Sequence, residues 1–356
     1  MNKRIPYIDS LRGLAVLFMV QQHLIAWLWD KKWISYSITF PEHPVMLSLN
    51  FAGNFAAPIF ILLAGTGAAL LEEKRTRKTE YFRRGLFILL CGYALNILSP
   101  HWFRPGSWYV LHTIGFSIII APLLLRFKNS YLLPLAVLII IIPGFIRTWL
   151  QTPLTTGNSF MNDLSRGGGI LRLALAEGHF PIFPWIAFFI AGIICCRWIK
   201  AGRRGHILYS AALLFISGTI LKGLYNYGYF FATGGKFFRL FVFTPYIYPA
   251  SPSLVFILTG IAMAFFYLFT FIKKNSLPVR VTASTGRLSL TWFFIHIVLF
   301  NEIFRLAGIH RNLPAAGTLL IITATFVSIL FFSSRWGSWG YRFSIEQLMR
   351  RTVKLQ

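Results

Sequence analysis

Apolar stretches of about 20 residues, the length that carries a helix across a hydrocarbon core, recur from end to end of this chain, and no charge-rich block between them is large enough for a soluble domain. That feature alone excludes most folds. Ten spans are drawn at 8–28, 50–71, 85–101, 107–125, 130–150, 181–197, 207–225, 252–271, 287–306 and 313–334. Only 13% of the 356 residues are charged and the mean hydropathy is +0.63, whereas soluble domains carry about 25% charged residues. The expectation is an all-α, polytopic integral membrane protein with about ten transmembrane helices, organised as a single domain over 1–356. The first run has no small-residue cleavage site and is expected to stay as a helix. Cys91, Cys195 and Cys196 lie inside apolar runs without ligand spacing, so neither a disulfide framework nor a zinc site is expected.

A net charge of +25 in a soluble chain would point to nucleic acid. Here the basic residues follow the spans instead. With the N-terminus inside, 24 of the 35 Lys and Arg fall in inward segments and 11 in outward ones, the asymmetry of cytoplasmic loops. Both termini are therefore expected to be cytoplasmic, and no nucleic-acid partner is expected. Trp27, Trp29, Trp33, Trp102, Trp108, Trp149 and Trp185 cluster near the outer boundary, where an amphipathic ring sits at headgroup depth. Two longer outward loops, 151–180 and 226–251, have the length at which loops are often functional.

"IDSLRGLAVLFMVQQHL", residues 8–24, keeps Asp9, Arg12 and His23 in a segment otherwise suited to lipid. Arg12 and His23 are 11 residues apart, close to three helical turns, which places them on one stripe about 16 Å apart along the axis. Asp9 precedes Arg12 by three residues, within pairing distance on a helix. A rim ion pair that reports topology accounts for Asp9 and Arg12 as well as a binding role does. His23 is either a hydrogen-bonded core histidine or a group facing a cavity, the usual place of ionisable residues at membrane depth.

At these residues the sequence resembles the membrane acyltransferase superfamily, which includes the acyltransferase-three proteins and the heparan-alpha-glucosaminide N-acetyltransferase family. "YIDSLRGLAVLFMVQQH" is similar to its first helix, "NFAAPIFILLAGTGAAL" (54–70) to its second and "RRGLFILLCGYALNIL" (83–98) to the basic start of its third. "HFPIFPWIAFFIAGI" (179–193) and "STGRLSLTWFFIHIVL" (284–299) resemble later helices. The resemblance implies transfer of an acyl group, commonly acetyl from cytoplasmic acetyl-CoA, to a sugar or other acceptor on the far side. It assigns roles to Arg12 and His23.

Acyl transfer from a thioester needs a base for the attacking hydroxyl or amine, and imidazole titrates in the right range. Carboxylates are scarce: the chain has ten, and the drawn spans put none at mid-membrane. Candidate catalytic residues are accordingly His23, His112 and His296, each weighed against a core role. Arg12, Asp9, Arg83, Arg84 and Arg287 are candidates for the phosphates of the acetyl-CoA co-substrate, although positive-inside bias alone would place them on that rim. Asn54 and His179 are candidate acceptor-binding residues, with helix–helix hydrogen bonding as the plainer use of Asn54. "GTG" at 65–67 reads as close helix packing. Scattered histidines carry no metal spacing, so no metal is expected. The expected partners are membrane lipid, a sugar or glycan acceptor and, for assembly, a homodimer; the expected location is a bacterial inner membrane. A transporter or flippase for a lipid-linked or small polar solute is the alternative that shares this polar stripe.

Overall fold

The computed structural model describes residues 5–31, 43–73, 76–154, 156–226, 248–273 and 276–353. Trp33 and residues 227–247 of the second long loop lie outside the described residues. In chain order the helices are α1 (Pro6–Leu28), α2 (Pro44–Gly53), α3 (Ala56–Glu72), α4 (Lys78–Leu98), α5 (Val110–Leu124), α6 (Asn129–Trp149), α7 (Asn158–Met161), α8 (Gly169–Arg172), α9 (Ile182–Lys200), α10 (Arg204–Asn226), α11 (Pro252–Phe269), α12 (Leu277–Arg287), α13 (Ser289–Phe294), α14 (Asn301–Leu306), α15 (Ala315–Ser338) and α16 (Ile345–Val353). Wider, π-type turns occupy Leu173–Glu177 and Ile295–Phe300.

The chain is an all-α polytopic membrane protein. Nine helical stretches among the described residues are long and apolar enough to cross a membrane. The tenth expected span, α5, has 15 residues, about 22 Å of helix against a core about 30 Å thick. Two spans differ from the single helices expected of them. The second begins at Pro44 and breaks at Asn54 and Phe55, between α2 and α3. The span at 287–306 is assembled from α13, a π-type turn and α14, and is separated from α12 by Leu288, whose φ of −110° and ψ of 22° are not helical. The tryptophan belt is also corrected. Trp27, Trp29 and Trp185 are fully buried and Trp108 is 6% exposed, so they fill the interior, whereas Trp149 at 84% exposure has the setting of an interface anchor.

The chain packs as two compact units. The first comprises Met1–Phe60 with Leu268–Gln356, the second Ile61–Tyr267. At the centre of the first, α1 packs against α2, α12, α13, α14 and α15. Apolar side chains gain little by leaving lipid for one another, so close backbone approach has to hold such helices together. Gly13 and Gly286 permit it: a methyl on Gly13 would lie 2.0 Å from the Thr282 carbonyl oxygen, and one on Gly286 would lie 1.8 Å from that of Asp9. Ser10 and Thr282 add a hydroxyl–hydroxyl bond of 2.6 Å across the same seam. The far end of α1 is clamped by residues 311–313, whose backbone N–H groups at Arg311 and Leu313 donate to the carbonyls of Trp27 and Leu28.

In the second unit, α4 packs on α5 and α6 on α9. Of the 65–67 stretch, Gly65 packs closely against the Phe189 backbone, as expected, and the Thr66 hydroxyl donates to the Leu62 or Gly192 carbonyl, whereas a methyl on Gly67 would meet open space. Residues 151–180 fold around a buried carboxylate. Glu177 takes hydrogen bonds from the Thr152 hydroxyl and the Arg172 guanidinium, and Arg147 bonds the carbonyls of Ala176 and Ala250.

Candidate active site

Pro6 in the first turn starts α1 at no hydrogen-bonding cost, and Asp9 in the same turn suits the positive end of the helix. Asp9 is the hub of a charged cluster in the first unit. Its Oδ1 faces Arg12 Nη1 at 3.4 Å, a loose ion pair, and its Oδ2 accepts from Arg287 Nε at 3.1 Å. Arg287 lies in the last turn of α12, the negative end of that helix, and its Nη1 donates to the Tyr341 hydroxyl at 3.2 Å. One carboxylate therefore orients two guanidinium groups, and the cluster keeps a net positive charge. The Arg12 and Arg287 side chains are 27% and 29% exposed, open enough to meet an anion.

Glu346 of α16 fixes the start of α13. Its Oε1 accepts from the backbone N–H of Leu290 and Thr291, and the Thr291 hydroxyl donates to Oε2 at 2.6 Å. A carboxylate is a strong acceptor for the free N–H groups of a helix start. The "GRLSLT" segment thus turns a corner held on both sides, by Arg287 on Asp9 and by Glu346 on the new helix.

At the other end of the α1 stripe, His23 and His296 come together. Their rings are 5.1 Å apart between centroids and 10° from parallel, with His23 Nδ1 2.9 Å from His296 Nε2. Trp27 flanks both rings, at 5.4 Å from His23 and 6.0 Å from His296. His296 Nδ1 is 2.7 Å from the Trp292 carbonyl, and the Trp292 indole N–H donates to Ser333 at 2.8 Å. These contacts set the tautomers. A carbonyl only accepts, so His296 carries its proton on Nδ1 and, when neutral, presents an unprotonated Nε2. His23 must then donate from Nδ1, and its Nε2 bears the lone pair. When both are neutral, the pair is therefore proton-ordered, with the His23 lone pair on Nε2.

The neighbouring α1 residues are tied to α2: Gln21 donates to the Leu49 carbonyl at 2.9 Å and Gln22 to the Asn54 amide oxygen at 2.7 Å. Asn54 thus sits at the break before α3, bonded to the residue that precedes His23.

Other expected residues belong to the second unit. Arg83 and Arg84 are half-buried in α4. His112 is fully buried in α5, where its Nδ1 accepts the Tyr109 backbone N–H at 3.0 Å, and its ring packs against Tyr93 and Trp108. That geometry caps its own helix. His179 is buried, stacked on Tyr109 at 4.2 Å and met edge-on by Tyr248. Burial pushes its imidazole down to about 3. It sits in a closed aromatic cluster, 3% exposed.

Tyr341, Glu346 and the Trp292 carbonyl escape a sequence reading. Tyr341 and Glu346 lie 54 and 55 residues from their partners, and no local pattern announces them. Asn301, buried in α14, did carry a signal, because it is an amide within an apolar run.

Residues 4–208 match the sequence model of the family described as "Heparan-alpha-glucosaminide N-acetyltransferase, catalytic". No curated protein matches the chain.

Proposed function

Because the chain belongs to the heparan-alpha-glucosaminide N-acetyltransferase catalytic family, we propose that it moves an acetyl group from cytoplasmic acetyl-CoA to a sugar or glycan acceptor on the outer side of the membrane. The observation that supports this reading is the His23–His296 hydrogen bond, which puts the His23 lone pair on Nε2. The family implies the acetyltransferase class and acetyl-CoA as donor; the roles below are our assignment.

Arg12 and Arg287, oriented by Asp9, hold the CoA phosphates. Guanidinium groups suit this because their forked N–H groups match phosphate oxygens. The pantetheine arm follows α1 for about 16 Å, three helical turns, to His23. There, Nε2 takes the proton from the acceptor hydroxyl or amine as that atom attacks the thioester carbonyl carbon. The C–S bond then breaks, and the imidazolium returns the proton to the departing thiolate. His296 is a positioning residue that holds the His23 tautomer. The same stripe thereby accounts for the polar residues at both ends of an apolar helix. The charge asymmetry of the loops supports cytoplasmic termini and a donor entering from the basic face; a bacterial inner membrane is our assignment from the family likeness.

Kinetics on purified protein test the assignment. His23→Ala should lower kcat by about 10²–10⁴-fold while CoA still binds, and Arg12→Ala should weaken CoA binding. Full acetyl transfer by His23→Ala, or solute counterflow in liposomes without thioester consumption, would defeat the reading.

A further inference from the structure

Of the six residues of α14, the structure buries one, and it is polar: Asn301, 1% exposed. That helix packs against α1. A helix-facing position in an apolar bundle ordinarily holds a small or apolar residue, or an amide bonded to the neighbouring helix. Asn301 has neither explanation. Its Nδ2 reaches only the adjacent Glu302 carboxylate, at 3.4 Å, which fixes which end of the amide is the oxygen. Oδ1 is buried and has no hydrogen-bond partner among the described residues. An unmet buried carbonyl is costly, and a ligand group that donates to it would remove that cost.

Its place in the helix suggests what would bind there. Asn301 follows His296 by five residues across the π-type turn Ile295–Phe300, and a π turn brings residues i and i+5 into register along the helix. The amide therefore continues the His296 side of the helix, about one turn further along, in a helix that packs against α1. An amide oxygen accepts from N–H or O–H groups.

We propose that Asn301 is an acceptor-binding residue, whose Oδ1 takes a hydrogen bond from a second hydroxyl or amine of the substrate while His23 deprotonates the first. The inference rests on the acyltransferase reading and sharpens it. The favoured acceptor carries at least two donors on neighbouring carbons, as a sugar ring does and a simple alcohol or amine does not. A site built to bond such a group discriminates strongly against substrates lacking it.

The experiment uses purified Asn301→Leu, with Asn301→Ala as a second variant should leucine not fit, assayed with acetyl-CoA and glucosamine. The expected result is a KM for glucosamine raised at least tenfold, a KM for acetyl-CoA within twofold of wild type, and an unchanged or higher Tm, because an unmet acceptor has been removed. An amide that merely supports the fold gives the opposite pattern, a lower Tm with both KM values unmoved. That pattern, or an unchanged glucosamine KM in either folded variant, overturns the proposal. Absence of transfer by the wild-type protein is distinct, defeating the parent reading and this one with it.

Discussion

In the proposed reaction, His296 contributes by what it prevents. With its Nδ1 committed to the Trp292 carbonyl, it presents only an acceptor to His23, which cannot then place its own proton on the nitrogen required as base. His296→Ala should lower kcat about tenfold to 100-fold, within the usual range for acid–base devices, with little change in CoA binding. His296→Gln, whose amide oxygen also accepts, should recover part of the loss; equal loss in both variants would reduce His296 to packing. His179 illustrates a different use of imidazole. Buried against Tyr109 and Tyr248, it is held neutral, with its titration pushed down to about 3. The sign follows: a depressed folded value means full stability above the unfolded value near 6.5, lost as pH falls from there toward 3, by up to about 1.4 kcal/mol per pH unit. Melting curves between pH 4 and pH 8 should show this acid limb flattened in His179→Gln. Each histidine was visible in the sequence as a polar residue in an apolar setting. Their contrasting uses were not, because His23 meets its partner across 273 residues and His179 meets Tyr109 across 70.

At the scale of helices, the seam between α1 and α12 depends on Gly13 and Gly286, each with the other helix's backbone where a methyl would be. Gly286→Ala should reduce the yield of folded protein and lower Tm by the equivalent of about 1–3 kcal/mol, the cost of overpacking, as read by thermal unfolding in detergent. Glu346→Ala should lower Tm by a similar amount, since it strands the N–H groups of Leu290 and Thr291, each buried donor costing about 1–3 kcal/mol. The length of the apolar runs located the membrane helices well: 8–28 became Pro6–Leu28 and 130–150 became Asn129–Trp149. It missed the break at Asn54–Phe55 and the corner at Leu288. Hydropathy reports length in lipid and is blind to a residue such as Leu288, apolar yet outside helical geometry. It missed α16 too, the short helix that carries Glu346.

Across the whole molecule, the family match covers residues 4–208 and includes Asp9, Arg12 and His23, while Arg287, His296 and Asn301 fall beyond it. The first compact unit nonetheless gathers these residues around α1. The account requires one helix to serve two faces of a membrane, phosphate at one end and acceptor at the other. Reconstituted vesicles of fixed orientation test this most directly, with labelled acetyl-CoA confined to the face bearing Arg12 and glucosamine confined to the opposite face. The account predicts labelled acetylglucosamine on the acceptor face, dependent on both Arg12 and His23. Transfer only when donor and acceptor share a face would contradict it.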